Sequence, residues 1–446
     1  MQNEILINNP HMKHLIRLFS VLLSTGFLFT ACEGPMGPAG TAGTNGTDAN
    51  ATCTQCHNTA GVDSVSTQFA YSKHAYGDAN FEEVGSTGCS PCHESEAFKY
   101  VVANNVSTIF SIVPPATTYS NPYAASSGTS YGPMQCNMCH VHLHSSYTFA
   151  DFMPLTTTAS VPMTMLSGAK SINLTQDDGK SNLCAKCHQP RPLTNSNTDK
   201  NVLNYAGLVS NPTAVFYDAA QSNSLNVLKP GFRTSVHNGT TAAIFAGTGG
   251  VEFGTGYSNS QHTTVASCQD CHMAPMTGKA GGHTFSAQGN FNGCNVAGCH
   301  ASNPISSSTT SQYWKQTRDG VKAQLDQLAA KLQEGGIDIM GRNGDATSNL
   351  WIGLTTNNYD GNMNIYDPVN NPAGPTYNTT LFQNPSTTGF TADQITFNNT
   401  LPKLTLTNAQ MGAIINFQLC LRDFSLGIHN KAYTTTLLAN SIAVLN

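Results

Sequence analysis

The sequence predicts a mainly α-helical fold with many loops, on three observations. The 446 residues are 39% hydrophobic and only 10% charged, which is a thin supply of core side chains for this length. Apolar residues recur at spacings of three and four towards the C-terminus, where we therefore expect helices. The remaining residues are mostly short polar segments, interrupted by repeated cysteine motifs.

Twelve of the 14 cysteines lie in six motifs that end in Cys-His. Five read Cys-x-x-Cys-His, the attachment pattern of c-type haem, in which the thiols form thioethers and the imidazole binds the iron. The sixth has four residues between its cysteines, a variant that occurs in multihaem cytochromes. The predicted attachment cysteines are Cys53, Cys56, Cys89, Cys92, Cys136, Cys139, Cys184, Cys187, Cys268, Cys271, Cys294 and Cys299. The predicted proximal ligands are His57, His93, His140, His188, His272 and His300.

The motifs therefore predict six covalently bound haem c groups and a haem-packed fold, in which porphyrin supplies the apolar surface that the composition lacks. Zinc sites or a disulfide framework are the alternative uses of these cysteines. A structural zinc ion needs four protein ligands, and the motifs are too far apart in sequence to pair as zinc ribbons. A disulfide framework gives no reason for a histidine after every second cysteine.

Residues 1–32 predict a lipoprotein signal peptide. A basic start at Lys13 and Arg17 is followed by an apolar run and by small residues before Cys32, the predicted lipidation site. We expect an outer-membrane lipoprotein on the periplasmic or cell-surface side, with plain secretion as the alternative. Residues 33–50 are rich in Gly and Pro and predict a tether. Glycine at every third position leaves collagen-like trimerisation as a second interpretation.

Replacing the predicted lipidation site, Cys32→Ala, should release the protein from membranes or stall its processing. The physical reason is that the predicted lipid is attached to the thiol of this cysteine. Fractionation of cells and the mass of the mature N-terminus measure both outcomes. A variant that remains membrane-bound and correctly cleaved would contradict the lipoprotein interpretation.

Beyond the predicted haem domain, residues 51–305, the sequence predicts a C-terminal helical region, residues 306–446. Its expected helices span 312–335, 408–424 and 431–444, and residues 337–400 read as a long insertion. In the first helix, four apolar side chains fall on one face: Val321, Leu325, Leu328 and Leu332. Cys420 is expected to be a buried, inert thiol on the second helix, beside Ile415 and Phe424. Within the haem domain, Tyr100–Val102 and Ile109–Val113 predict a hairpin.

Seven further histidines follow the signal peptide, close to the number of open iron positions. We expect them to act as distal ligands, which would give bis-histidine haems. The predicted distal ligands are His74, His237, His262, His283 and His429, together with His144 or, slightly less favoured, His142. Methionine is the rival ligand and would raise the potential. The methionines near motifs are Met134, Met138, Met273 and Met276.

The segment from Asp423 through Ser425 and Gly427 to His429 and Asn430 resembles the terminal region of multihaem cytochromes related to pentahaem nitrite reductase and hydroxylamine oxidoreductase. Residues 268–272 and 282–283 are similar to the later haem motifs of that group. The resemblance implies haem packing of that kind and a distal ligand at His429. The chain departs from it in having no Cys-x-x-Cys-Lys motif. The predicted lipid anchor and tether look more like outer-membrane lipoprotein cytochromes.

These observations predict an electron-transfer protein rather than an enzyme. Electrons would pass along mostly bis-histidine haems towards an extracellular or periplasmic acceptor, with other envelope cytochromes or redox proteins as partners. The alternative is a reductase of a small nitrogen or sulfur oxyanion with one open haem, whose pocket Arg191 and the His142/His144 pair would line. As a role for Arg191, a partner of a haem propionate is favoured over this one. Haem-based sensing or assembly into filaments is a third class, and homo-oligomers stay open. A net charge of −5 gives no basic stripe for nucleic acid.

Overall fold

The structure, a computed structural model, describes part of the chain. The described residues are 53–77, 89–104, 133–194, 202–218, 228, 234–308, 312–334, 337–338, 364–365 and 405–446. The predicted signal peptide, tether and lipidation site lie outside them, as do Ile109–Val113 and nearly all of the predicted insertion. The chain divides into two units, Met1–Thr54 and Gln55–Asn446, and only the last two residues of the first are described.

Helices dominate the regular structure of the described residues, which confirms the predicted mainly α-helical class. In chain order they are α1 Val62–Ala70, α2 Lys73–Tyr76, α3 Ser90–His93, α4 Ser95–Ala103, α5 Cys136–Cys139, α6 Ser181–Cys187, α7 Tyr205–Ser210, α8 Thr241–Phe245, α9 His262–Val265, α10 Cys268–His272, α11 Thr317–Glu334, α12 Asn408–Arg422 and α13 Lys431–Val444. Short 3-10 helices cover Phe149–Phe152, Thr164–Leu166 and Gly282–Thr284, and a π-helical turn, Gln312–Gln316, leads into α11.

The strands are short and form two-stranded antiparallel pairs. They are β1 Val161–Pro162, β2 Ser171–Ile172, β3 Val215–Asp218, β4 Ile337–Asp338, β5 Asn364–Ile365 and β6 Thr405–Thr407. β1 pairs with β2, β3 with β6, and β4 with β5. In the second pair Val215 lies opposite Thr407 and Asp218 opposite Thr405, with an irregularity between Val215 and Tyr217. This pair positions the start of α12, because Thr407 is also the N-cap of that helix.

The three C-terminal helices α11, α12 and α13 build the largest apolar core among the described residues. The predicted face of α11 is confirmed, since all four of its apolar residues are at most 1% exposed. Every residue of α12 from Met411 to Arg422 is buried, as expected of a helix that is packed on all sides. Cys420 is buried as predicted, whereas Phe424 is 38% exposed because the chain has already left the helix there, with a positive φ.

Buried polar side chains join these helices to residues 250–260. The amide of Asn416 donates to the Val251 carbonyl at 2.8 Å and accepts from the Val251 N–H at 2.7 Å. Asn430 accepts from the Ser260 N–H at 3.0 Å and caps α13 through the Tyr433 N–H. Satisfied buried networks of this kind fix one arrangement of the elements they join. The core therefore contains residues from both sides of the predicted boundary at 305.

Apolar burial is sparser in the described residues before 161. Phe98 and Val101 on α4 pack with Met138 on α5 in a small cluster. The predicted hairpin is wrong at Tyr100–Val102, which lies inside α4. The aromatic and β-branched residues there favour a strand, but the spacing of three between Phe98 and Val101 places both on one buried helix face.

Candidate functional site

Each motif histidine lies opposite one histidine from outside the motifs. The six ring pairs have nearly equal separations between ring centres. These are His57–His144 at 6.0 Å, His74–His188 at 6.1 Å, His93–His237 at 6.3 Å, His140–His283 at 6.4 Å, His262–His300 at 6.1 Å and His272–His429 at 6.1 Å. No histidine belongs to two of these pairs. The structure thus brings together twelve of the predicted ligands, two by two.

The geometry of the pairs fits two imidazoles on opposite sides of one metal ion. A metal–imidazole nitrogen bond is about 2 Å long and the ring centre lies roughly 1 Å beyond the nitrogen, so two trans ligands have centres about 6 Å apart. The interplanar angles run from 22° to 80° while the separations stay between 6.0 and 6.4 Å. Rings in direct contact change their separation with their angle. When two rings bind opposite sides of a metal, each can rotate about its metal–nitrogen bond, and this rotation does not change the separation of the ring centres.

Four imidazoles of these pairs have Nδ1 held by an oxygen acceptor. The partners are the Asn238 carbonyl for His237 at 2.9 Å, the Ile428 carbonyl for His262 at 2.8 Å, the Phe285 carbonyl for His272 at 2.8 Å and the Asp423 carboxylate for His429 at 2.6 Å. Because these oxygens only accept, Nδ1 carries the proton and Nε2 keeps its lone pair. This is the outer-shell bonding by which proteins orient metal-ligating histidines.

Burial keeps several of the paired rings neutral. It lowers the pKa of His188 to about 3 and that of His237 to about 4; nearby histidines add to the effect on His188, and the Arg191 guanidinium adds to the effect on His237. Burial and the nearby His93 likewise lower the pKa of His74. Neutral imidazole is the form that binds a metal, so these side chains need no proton release on ligation.

His429 is the exception. Burial opposes its charge, but the Asp423 carboxylate outweighs burial and raises the pKa of the imidazole above its usual value.

Two of the helices that carry motifs, α10 and α6, begin with side-chain caps. Ser267 and Asp270 form a capping box at the start of α10, with the Ser267 N–H donating to the carboxylate at 2.7 Å. At the start of α6 the Asp177 carboxylate accepts from the Ser181 N–H at 3.1 Å and from its hydroxyl at 2.6 Å. In a helical turn, the second cysteine and the following histidine are three and four residues after the first cysteine and therefore lie on the same face of the helix as it does. The sixth motif departs from this pattern, because residues 294–300 form turns rather than a helix.

The non-motif histidines reach their partners from different local structures. His74 lies in α2, whose N-cap Ser72 accepts from the Ala75 N–H at 3.2 Å, and His262 is the first residue of α9. His237 lies outside any helix and has φ 76°. His283 follows Gly281, where φ is 97° and a Cβ would lie 2.3 Å from the Ala274 carbonyl oxygen. Only glycine fits that turn, which holds His283 in place.

His144, and not His142, is the residue that the ring contacts pair with a motif histidine. His144 stacks with His57 at 6.0 Å and with Tyr147 at 5.7 Å. The loop is held by Asp151, whose carboxylate accepts from the Ser146 and Tyr147 N–H groups at 3.0 Å. The Ser146 hydroxyl also donates to this carboxylate and lowers the pKa of Asp151. His142 is exposed on the same loop.

The thirteen described cysteines are all free thiols in the structure, and several from different motifs are neighbours. The thiols of Cys92 and Cys187, of Cys184 and Cys268, and of Cys271 and Cys294 interact with each other, and the Cys187 thiol donates to the Cys92 carbonyl at 3.9 Å. These contacts bring the second motif beside the fourth, the fourth beside the fifth and the fifth beside the sixth. Arg191 donates to the Cys89 sulfur at 3.7 Å, which places this predicted pocket residue against the second motif.

Two residues of the site were missed by the sequence reasoning. The resemblance gives Asp423 no role, although an acidic residue six positions before a ligand histidine, across a turn with Ser and Gly, is a usable signal. The second is Phe285, which is not a predicted iron ligand. The centre of its ring lies 5.0 Å from that of His74 and 5.6 Å from that of His283. No pattern in the sequence distinguishes it from other aromatic residues.

Across the stretches that the structure describes, no helix is both long and apolar enough to cross a membrane. Comparison with known proteins gives the chain no relative: no protein-family model, no curated protein and no solved structure matches it.

Proposed function

We propose that the protein is a multihaem c-type cytochrome that carries electrons along six bis-histidine haems at the cell envelope. The observation that carries the proposal is the pairing of all six motif histidines with six different histidines at 6.0 to 6.4 Å. A haem iron takes four ligands from its porphyrin, so a pair of imidazoles is what the protein must add. Each motif also supplies two thiols beside one member of its pair.

The chemistry follows from the ligands. Haem supplies an iron that accepts and releases one electron, at a potential set by its axial ligands and their surroundings. The twelve imidazoles would hold both axial positions of every iron, which leaves no position for a substrate oxygen or nitrogen. Bis-histidine sites of this kind suit electron transfer and exclude inner-sphere reduction of a bound oxyanion.

Contacts between motifs support passage of electrons from site to site. The thiol neighbours join the second, fourth, fifth and sixth motifs, and the fourth motif takes part in two of these contacts. His188 of the fourth motif also interacts electrostatically with His93 and His272. The third motif adjoins the fourth through Cys139. We infer that the fourth haem is a junction.

Solvent reaches the first, third and sixth motifs. Both members of the His57–His144 pair are exposed, as are Cys136 of the third motif and Cys299 of the sixth. We propose that donors and acceptors, other cytochromes or redox proteins of the envelope, exchange electrons at these motifs. The predicted lipid on Cys32 and the tether would hold the haem domain at the outer membrane.

Electron paramagnetic resonance of the oxidised protein tests the proposal. We expect low-spin signals alone, because every iron would have two imidazole ligands, and an intact mass with six covalent haems. The reduced protein should bind neither carbon monoxide nor nitrite. A high-spin signal together with turnover of nitrite or hydroxylamine would instead establish the reductase alternative. A mass with five haems would show that the Cys294–Cys299 motif is not used.

A further inference from the structure

We propose that the Asp423 carboxylate lowers the reduction potential of the haem held by His272 and His429. Asp423 would act through the distal imidazole and is therefore a positioning residue. The inference rests on the proposed function, since it concerns one of the six haems proposed above.

The contact between Asp423 and His429 is short, buried and braced. Asp423 Oδ1 lies 2.6 Å from Nδ1 of His429, and Asp423 is 2% exposed. The Ser425 hydroxyl donates to the second carboxylate oxygen, and the His429 N–H donates to the Ser425 hydroxyl at 3.2 Å. A hydrogen bond to an ionised acceptor is stronger than a neutral one, and a low local dielectric strengthens it further.

This bond changes the imidazole as a ligand. A carboxylate that accepts the Nδ1 proton draws it away from the ring and gives the imidazole anionic character. An electron-rich axial ligand stabilises the higher charge of ferric iron over ferrous iron, so the reduction potential falls. Hydrogen bonds around the axial ligand are one of the means by which a protein sets haem potential.

The same turn offers an internal comparison. The Ile428 carbonyl accepts from Nδ1 of His262 at 2.8 Å, so the turn that holds His429 with a carboxylate holds His262 with a neutral amide. The haems of the fifth and sixth motifs, which are neighbours, would thus have distal imidazoles that differ in how strongly they donate electron density to the iron. The difference favours electron flow from the His272–His429 site towards the His262–His300 site, whose Cys299 is exposed.

The variant Asp423→Asn keeps an oxygen acceptor and a similar shape but removes the charge. Spectroelectrochemical titration of the six-haem protein should show one midpoint potential shifted upwards, with a change in one low-spin resonance signal. Glu252→Gln is the matched control. This substitution removes the same charge, but Glu252 accepts from the Tyr433 hydroxyl at 3.1 Å and makes no bond to the His429 imidazole. It should leave the six potentials in place.

Ser425→Ala provides a second test that changes no charge, for the case that Asp423→Asn does not fold. Without the hydroxyl, the carboxylate accepts more strongly from His429, and the same midpoint potential should shift downwards. The inference is overturned if either variant carries six haems and shows no shift, or if Glu252→Gln produces the same shift as Asp423→Asn. A wild-type protein without haem would overturn the proposed function itself, which separates the two failures.

Discussion

Without covalent haem, the described residues between 53 and 140 should not fold, whereas α12 and α13 should keep much of their structure. The early segment buries few apolar side chains of its own, chiefly Phe98, Val101 and Met138. Its pairs of imidazoles have no reason to meet without a metal. Ligation in small zinc domains contributes roughly 10 kcal/mol or more to folding, which is as large as the net stability of a typical domain, about 5–15 kcal/mol.

Hydrogen exchange measured segment by segment checks this expectation. The full chain is produced with and without haem attachment, and the two forms are compared. We expect fast exchange for α1 and α4 in the form without haem, while α12 retains slow exchange because it is buried on all sides. Protection of α1 and α4 in the form without haem would contradict the haem-packed fold.

Replacing the C-terminal distal ligand, His429→Ala, should open one haem of six. We expect a new high-spin resonance signal and binding of about one carbon monoxide per reduced molecule, because a single axial position becomes free. Loss of the imidazole also removes a hydrogen bond from the buried Asp423 carboxylate, at a cost of about 1–3 kcal/mol. The junction between α12 and α13 should therefore unfold at lower denaturant concentration.

The sequence contains a matched control for this experiment. His142 is a histidine of the predicted set that lies exposed, while its neighbour His144 takes part in a pair. His142→Ala should leave the protein low-spin and unreactive to carbon monoxide. His144→Ala should open the haem paired with His57. If His142→Ala opens a haem and His144→Ala does not, the pairing at this site is wrong.

Local sequence patterns predict much of the fold and one half of each histidine pair. Periodicity placed α13 at Lys431–Val444 and the buried face of α11 correctly, because those helices bury an apolar stripe. The cysteine motifs located one histidine of each pair, since attachment chemistry depends on adjacent residues. The count of spare histidines matched the open positions, but which histidine meets which motif depends on contacts between segments up to 157 residues apart, as in His272–His429. Spacing holds no information about such contacts.

The two errors have local physical causes. The β-branched and aromatic residues of Tyr100–Val102 favour a strand. The segment is helical instead, because a helix buries Phe98 and Val101 together on one face. Phe424 was placed on the apolar face of α12, but the helix ends at Arg422 and left-handed residues turn the chain outwards. The tightness of that turn, which brings Asp423 onto His429, is equally invisible to helical periodicity.

The histidine pairs interlace along the chain, and this has a consequence for biogenesis. Four pairs enclose overlapping stretches of the chain: His57–His144, His74–His188, His93–His237 and His140–His283. A break anywhere between residues 74 and 237 would therefore separate the members of at least one pair. If the chain is exported from its N-terminus, His188 and His300 cross the membrane after their partners, His74 and His262. The motif histidines His57, His93, His140 and His272 would wait for partners still on the cytoplasmic side. The site at His272 would be completed only when His429 emerges, which makes it the last of the six sites to assemble.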